Sequence, residues 1–294
     1  MIIAIDIGGT NIKFSYASPD GILGAVESMP TDAYLGADNM YKRIENLIGL
    51  ADMSKVTGIA ISSAGQIDSD KGRVIFATDS IPGYTGFEIK KRLEEKFKVK
   101  VTVENDVNCA ALGELWKGHL SSESFLALTL GTGIGGAIVE DGKIYHGSGY
   151  STAEFGHLAL VYKGLECTCG HRGCYERYAS AKALNEQISD KLGDMDTKLF
   201  FEACRQGNEA YLRVLDQWVD YVSEGLKSLV HTFNPNLILI GGGVSAQGDY
   251  LADKIKESLK GKVMPSFMKD LDIKMMTLGN DANLLGAVYH FNHQ

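Results

Sequence analysis

The chain opens on an unbroken apolar run, Ile2-Ile-Ala-Ile5, that reaches Asp6 and breaks into Gly8-Gly9-Thr10. A second apolar stretch over 12–17 follows and closes at Pro19-Asp20-Gly21. Both runs are of strand length and bounded by turn residues, which predicts two strands joined by a glycine turn. The pattern returns in the second half. Ala127-Leu-Thr-Leu130 breaks into Gly131-Thr132-Gly133, continues over 136–140 and closes at Asp141-Gly142. The expectation is a duplication of two related domains rather than a solenoid array.

After each hairpin, helical and strand periods alternate. Met40, Ile44, Leu47 and Ile48 recur at helical spacing, 56–61 reads as a buried strand, 87–97 as a helix, 99–103 as a strand and 109–116 as an apolar helix. The second half predicts helices over 181–192, 198–205 and 208–232, a strand over 237–240, a helix ending at 260, a strand near 273–276 and a last helix over 282–291. Such alternation predicts an α/β fold with a mixed sheet in each half. The domains fall at 1–117 and 118–281, joined by a short hinge within 113–122, with the helix over 282–294 packing back onto the first.

Length agrees with two domains, since 294 residues exceed what one hydrophobic core usually supports. Hydrophobic residues at 45% and charged residues at 22%, with 5 Pro against 34 Gly, exclude a disordered or collagenous chain. A net charge of −8 with no basic run argues against nucleic acid as a partner. The sequence has neither a stretch of membrane-helix length nor a signal-peptide pattern, so no membrane partner and a cytoplasmic location are expected. Three of the five cysteines fall between 167 and 174, which suits a metal site in a reducing compartment better than a disulfide framework.

Three constellations carry candidate chemistry. The turns Gly8-Gly9-Thr10 and 131–136, with Gly241-Gly242-Gly243 after a buried strand, offer backbone N–H and Thr hydroxyl groups to phosphate oxygens. Each turn alone also reads as a tight hairpin. A Walker A pattern is absent, which disfavours the P-loop class. Asp6, beside the first turn, suits the hydration shell of a phosphate-bound Mg²⁺ or a cap on its own turn.

The second constellation is Glu104-Asn105-Asp106-Val107-Asn108, where a strand ends and a helix begins. Asn and Asp there serve as a helix N-cap, or Asp106 serves as a general base with Asn105 binding a polar substrate. The third is Glu154-Phe-Gly-His157 followed by Cys167-Thr-Cys169-Gly-His171-Arg-Gly-Cys174-Tyr-Glu176. One His and three Cys complete a tetrahedral structural Zn²⁺ site, with His157 ranked ahead of His171 as the fourth ligand. Such a metal would pin Glu154 and Glu176 to one rigid loop.

In these motifs the chain resembles the ROK family of sugar kinases, repressors and open reading frames, within the actin-like ATPase clan. The resemblance rests on Asp6-x-Gly8-Gly9-Thr10, Asn105-Asp106, Leu130-Gly-Thr-Gly-Ile-Gly-Gly136 and the signature from Gly156 to Glu176, and spans essentially the whole chain. It implies two ribonuclease-H-like domains with mixed sheets around an interdomain cleft, acting on ATP with Mg²⁺ and a hexose. It implies Asp106 as catalytic base, with Gly65, Asn105, Glu154, His157 and Glu176 on the sugar. The nucleotide would take Asp6, Gly8, Gly9, Thr10, Asn11, Lys13, Gly131, Thr132, Gly133, Gly242 and Gly243. Structural zinc would take His157, Cys167, Cys169 and Cys174, and a homodimer is the family's common state.

The implied activity is phosphorylation of glucose or a β-glucoside. N-acetylmannosamine or fructose is the alternative acceptor, and a sugar-sensing regulator without catalysis is the alternative class. Departures from the family pattern are Ser62-Ser63-Ala64 before Gly65, where Pro-Gly is common, and Val107 after the aspartate. The run Gly279-Asn280-Asp281-Ala282-Asn283 resembles the end of the family's β-glucoside kinases. Tyr84, Tyr150 and Tyr175 are the candidates for limiting the room at the anomeric carbon.

Overall fold

The structure, a computed structural model, describes residues 1–78 and 80–294. Along the first half run β1 (Ile2–Ile7), β2 (Asn11–Ala17), β3 (Glu27–Pro30), α1 (Ala37–Gly49), β4 (Gly58–Ser63), the hairpin β5 (Gln66–Asp68) and β6 (Arg73–Phe76), α2 (Ile89–Phe97), β7 (Lys100–Asn105) and α3 (Asp106–Lys117). The second half has β8 (Phe125–Leu130), β9 (Ile134–Glu140), β10 (Lys143–Ile144), α4 (Glu176–Ala179), α5 (Ala181–Leu192), α6 (Thr197–Arg205) and α7 (Glu209–Phe233). It ends with β11 (Leu237–Gly241), α8 (Asp249–Lys260), α9 (Pro265–Met268), β12 (Asp272–Met275) and α10 (Ala282–Asn292).

The sheets repeat one order, β3-β2-β1-β4-β7 in the first and β10-β9-β8-β11-β12 in the second. In each, an antiparallel hairpin (β1/β2, β8/β9) continues into parallel strands (β1/β4/β7, β8/β11/β12). The duplicated strand–turn–strand pattern of the sequence is thus a duplicated mixed sheet. Some expected boundaries move. The strand expected at 56–61 lies at Gly58–Ser63, because Val56 N–H bonds back to Met53 O. The helix expected from 87 begins at Ile89, because Phe87 closes a turn onto Tyr84 O.

Two compact units result, the first of Met1–Ser121, Lys143–Thr152 and Asn280–Gln294, the second of Ser122–Gly142 and Ala153–Gly279. The division expected at 117/118 lies at Ser121/Ser122, and Lys143–Thr152 groups with the first unit. Its His146, Tyr150 and Ser151 hydrogen-bond to Glu104, Asp70 and Gln66 of that unit, a tie no local pattern records.

In the first unit β1 is buried on both faces, which is why it reads as an apolar run. Ile3, Ile5 and Ile7 pack with Met40, Ile44 and Leu93 on one face, while Ile2 and Ala4 pack with Cys109, Leu284 and Val288 on the other. That second face brings α3 and α10 together backbone to backbone. A Cβ on Gly286 would lie 1.7 Å from Cys109 O, and one on Gly113 would lie 2.2 Å from Ala282 O. The second unit closes over Leu126, Leu128, Ile238 and Ile240 with Phe200, Trp218 and Leu226, and the Trp218 indole N–H donates to Ser180 O at 3.0 Å.

The α3–α10 contact leaves no room for a methyl group. Gly286→Ala must separate the two helices, and the overpacking is expected to cost at least about 2 kcal/mol, read as a lower midpoint in urea.

Candidate functional site

In the first unit the parallel register aligns Asp6 with Ser62 and Ser62 with Glu104, one position ahead of Ile7, Ser63 and Asn105. Three carboxylates, of Asp6, Glu104 and Asp106, therefore gather at one end of the sheet, and each is compensated differently. Asp6 is buried, its Oδ1 accepting from Ser62 Oγ at 2.7 Å and from Asn283 Nδ2 at 3.0 Å. Asn283 lies in the first turn of α10, so the last helix completes the surroundings of a residue in the first strand.

Asn105 does more than either sequence reading alone allowed. As the N-cap of α3 its Oδ1 accepts from the N–H groups of Val107 and Asn108, while its Nδ2 donates to Gly65 O at 3.0 Å and to Asp106 Oδ1 at 2.9 Å. The side chain is occupied within the protein, and its product is a fixed Asp106. Gly65 holds its place with φ +94, where a Cβ would also lie 3.0 Å from Phe76 O.

Asp106 is half-buried and carries its interior hydrogen bonds on Oδ1, from Asn105 Nδ2 and Val107 N–H at 2.9 Å each. Burial, and then the nearby Asp6 carboxylate, push its carboxyl up to about 7, outweighing the pull of those hydrogen bonds toward the ionised form. A carboxyl poised near neutral pH on a half-open surface is suited to take up a proton.

In the second unit, a ring nitrogen of His157 and the sulfurs of Cys167, Cys169 and Cys174 all lie within 4.8 Å of one another. Cys169 and Cys174 sulfurs are 3.6 Å apart, and Cys167 Sγ is 3.7 Å from His157 Nδ1. Those separations are close to the edges of a tetrahedron built on Zn–S bonds of about 2.3 Å, so the donor set fits a closed, structural zinc site. His171 contributes to the knuckle through its backbone, accepting the Cys167 N–H at 2.8 Å.

Glu176 links this cluster to the glycine turn. Its Oε1 accepts from Cys167 Sγ at 3.1 Å, and its Oε2 is 3.4 Å from the Ile134 N–H it accepts. A Cβ on Gly133 would lie 2.4 Å from that same Oε2. Gly242 is likewise required by packing, at φ +86 with Leu130 O 2.1 Å from a Cβ. Gly9, Gly131 and Gly243 differ, since nothing lies within 4 Å of a Cβ at any of them. The protein's own packing does not demand glycine at these three positions. Thr10, Asn11 and Thr132 are exposed beside these turns, and Lys13 Nζ donates to Asn280 Oδ1 at 3.2 Å. Glu154 is exposed at the start of the short turn Phe155–His157.

Of the three tyrosines, Tyr84 is buried with its hydroxyl 2.7 Å from Ser63 Oγ, and Tyr175 is buried with its hydroxyl donating to Val222 O. Tyr150 is partly exposed, with φ +56 and its hydroxyl on Asp70. The sequence reading missed Ser62, Asn283 and His146. Ser62 and Asn283 stood in quoted runs without this role, and His146 in none; all three reach their partners only through sheet register and chain folding.

Two outcomes follow from this geometry. The Asp106 carboxyl titrates near 7 in the folded protein against about 3.9 unfolded, so its contribution to stability declines as pH rises from about 4 to 7. Asp106→Asn, which cannot ionise, is therefore expected to gain on the parent as pH rises, with a melting temperature advantage at pH 8 exceeding that at pH 4.5 by at least about 3 °C. For the Cys/His cluster, elemental analysis of protein prepared with zinc is expected to give about one zinc per chain, lost in Cys174→Ser together with several degrees of melting temperature.

A family model described as "ROK family" matches residues 2–294. A glucokinase of Halalkalibacterium halodurans is 33% identical over 97% of this chain and 93% of its own. A β-glucoside kinase of Klebsiella pneumoniae is 32% identical over 99% of this chain and 96% of its own. Among solved structures, a ROK family glucokinase from Streptomyces griseus in complex with glucose and AMPPNP superposes with a TM-score of 0.82 at 29% identity, over 98% of this chain and 97% of that one. The match of one family model to nearly the whole chain, with relatives of this identity and coverage, establishes that the chain belongs to the ROK family.

Proposed function

We propose that the protein is an ATP-dependent sugar kinase that transfers the γ-phosphoryl group to the 6-hydroxyl of a hexose, glucose or a β-glucoside. The observation that carries this reading is Asp106: a half-buried carboxylate, raised to about 7 and fixed on one oxygen by Asn105 and the Val107 N–H. Relatives named glucokinase and β-glucoside kinase support the class of reaction.

Phosphoryl transfer asks the protein mainly for position and charge, with little covalent work. In this reading Asp106 accepts the proton of the attacking hydroxyl as its oxygen bonds to the γ-phosphorus, while the bond from that phosphorus to the β,γ-bridging oxygen breaks and ADP leaves. Asn105 serves by holding Asp106 and Gly65, and a direct sugar contact from it would replace one of those bonds. Glu154, His157 and Glu176 take the sugar hydroxyls, His157 with Nε2 if Nδ1 belongs to the metal.

Gly9, Thr10, Gly131, Thr132 and Gly243 accept the phosphates, with Asn11, Lys13, Gly8, Gly133 and Gly242 shaping those turns. Asp6, with Oδ1 fixed by Ser62 and Asn283, fits the single carboxylate that a hydrated Mg²⁺ commonly uses. That ion, when bound with ATP, neutralises phosphate charge. Zinc, held by His157, Cys167, Cys169 and Cys174, supplies rigidity to the loop that carries Glu176.

ADP release with Mg·ATP should be measured against glucose, cellobiose, N-acetylmannosamine and fructose, beside a blank without sugar. Turnover is expected with glucose or the β-glucoside, and Asp106→Ala is expected to lower kcat by about 10² to 10⁴ with a smaller change in KM. ATP binding with no acceptor turned over would overturn the kinase reading in favour of a sugar-sensing regulator.

A further inference from the structure

Among the buried carboxylates that the reaction described above leaves without a task, one adjoins Asn105 and Asp106. Glu104, one residue before Asn105, is fully buried at the end of β7. Its Oε1 accepts from the Asn105 N–H at 2.7 Å and from Asn108 Nδ2 at 2.9 Å, which ties it to the turn that carries Asp106 and to the first turn of α3. Its Oε2 faces His146 Nε2 at 2.7 Å. The buried His290 lies on the same oxygen's side, with Nδ1 at 3.9 Å, beyond hydrogen-bond distance.

The two histidines are not equivalent partners. Burial holds His290 below the usual imidazole range, against the pull of the Glu104 charge. His146 is only partly buried, and although burial pulls it down, its hydrogen bond to Glu104 holds it above that range. Burial likewise opposes ionisation of Glu104, but the hydrogen bond from His146, together with His290 and Asn108, keeps its carboxyl below the ordinary value. A buried carboxylate costs least with a charged, hydrogen-bonded partner, and His146 is the residue that supplies one.

His146 lies on Lys143–Thr152, the segment that groups with the first unit. The segment is held at two further points, by Tyr150 on Asp70 and by Ser151 Oγ on Gln66 Oε1 at 2.9 Å. The chain then turns at Ala153, with φ +65, directly into Glu154. The segment anchored on the first unit thus ends at Thr152, two residues before Glu154 in the chain.

We propose that Glu104 and His146 form a positioning pair for the acceptor sugar, with one carboxylate oxygen setting the turn that carries Asp106 and the other pinning the segment that leads into Glu154. The kinetic part rests on the kinase reading, whereas the pinning itself does not. Neither residue touches the reacting atoms in this scheme. Glu104 acts through Asn105, and His146 acts through the backbone of its segment.

Amide hydrogen exchange of the ligand-free protein tests the pinning. His146→Phe keeps a ring against Tyr150 and removes the donor, and peptides over 143–152 are expected to exchange at least about tenfold faster while β7 and α3 keep their protection. His146→Gln, which restores a donor at similar reach, is expected to recover most of the protection, and the same comparison holds if one variant fails to fold. With whichever sugar the parent phosphorylates, His146→Phe should raise the sugar KM by about tenfold while leaving the KM for Mg·ATP within about twofold. Glu104→Gln should also lower kcat, and the double variant should be no worse than Glu104→Gln alone.

Unchanged exchange over 143–152 in His146→Phe, equal losses in both KM values, or additive losses in the double variant would overturn the proposal. If the parent phosphorylates no sugar in the panel, the kinase reading fails and the exchange result alone decides the pinning.

Discussion

Burying carboxylates at the ends of parallel strands is the constraint around which the first unit is organised. Asp6 lies close enough to Asp106 to oppose its charge, and burial makes Asp106 and Glu104 expensive to ionise. The chain answers with two hydroxyl or amide donors on Asp6, with an imidazole, an amide and a backbone N–H on Glu104, and with an amide and a backbone N–H on Asp106. Asp106 has as many donors as Asp6, and burial beside the Asp6 charge raises its proton affinity to the neutral range. A reactive group arises here from burial next to a like charge.

The second unit meets a different constraint, the holding of a loop whose apolar residues Leu158, Val161, Tyr162 and Leu165 are exposed and do not form a core of their own. Cys167, Cys174 and Glu176 anchor it from within, and Gly133 yields its side-chain space to the Glu176 carboxylate. A side chain at Gly133 would displace the Glu176 carboxylate, so the glycine turn and the loop carrying Glu176 meet at one atom.

What the sequence made legible was the chemistry packed into short stretches. The duplicated hairpins, the Asn105-Asp106 corner and the His157-to-Glu176 signature each lie within a few turns of chain, and their residue types carry their own physical reasons. The surroundings of those groups were far less visible. Ser62 reaches Asp6 through the register of β1 on β4, Asn283 reaches it from α10, and His146 reaches Glu104 from beyond the second hairpin. No period or spacing records such pairings, because they depend on which elements pack together. The sequence offers Asn105 as a helix cap or as a partner of a polar substrate, and the structure shows the cap together with a clamp on Asp106 that neither reading contained.

The lodging of α10 against α3, β1 and β4 has a further consequence for how the chain comes to be folded. During synthesis every strand of the first sheet emerges early, yet the face carrying Ile2, Ala4 and Cys109 stays uncovered until Leu284, Ala287 and Val288 have been made. The second unit, by contrast, has all its residues in hand by Gly279. Assembly from the ribosome thus runs against the order of the sequence, with the older half waiting on the youngest helix. Through that interval the half-built sheet presents an apolar, glycine-lined face of the kind that chaperones bind.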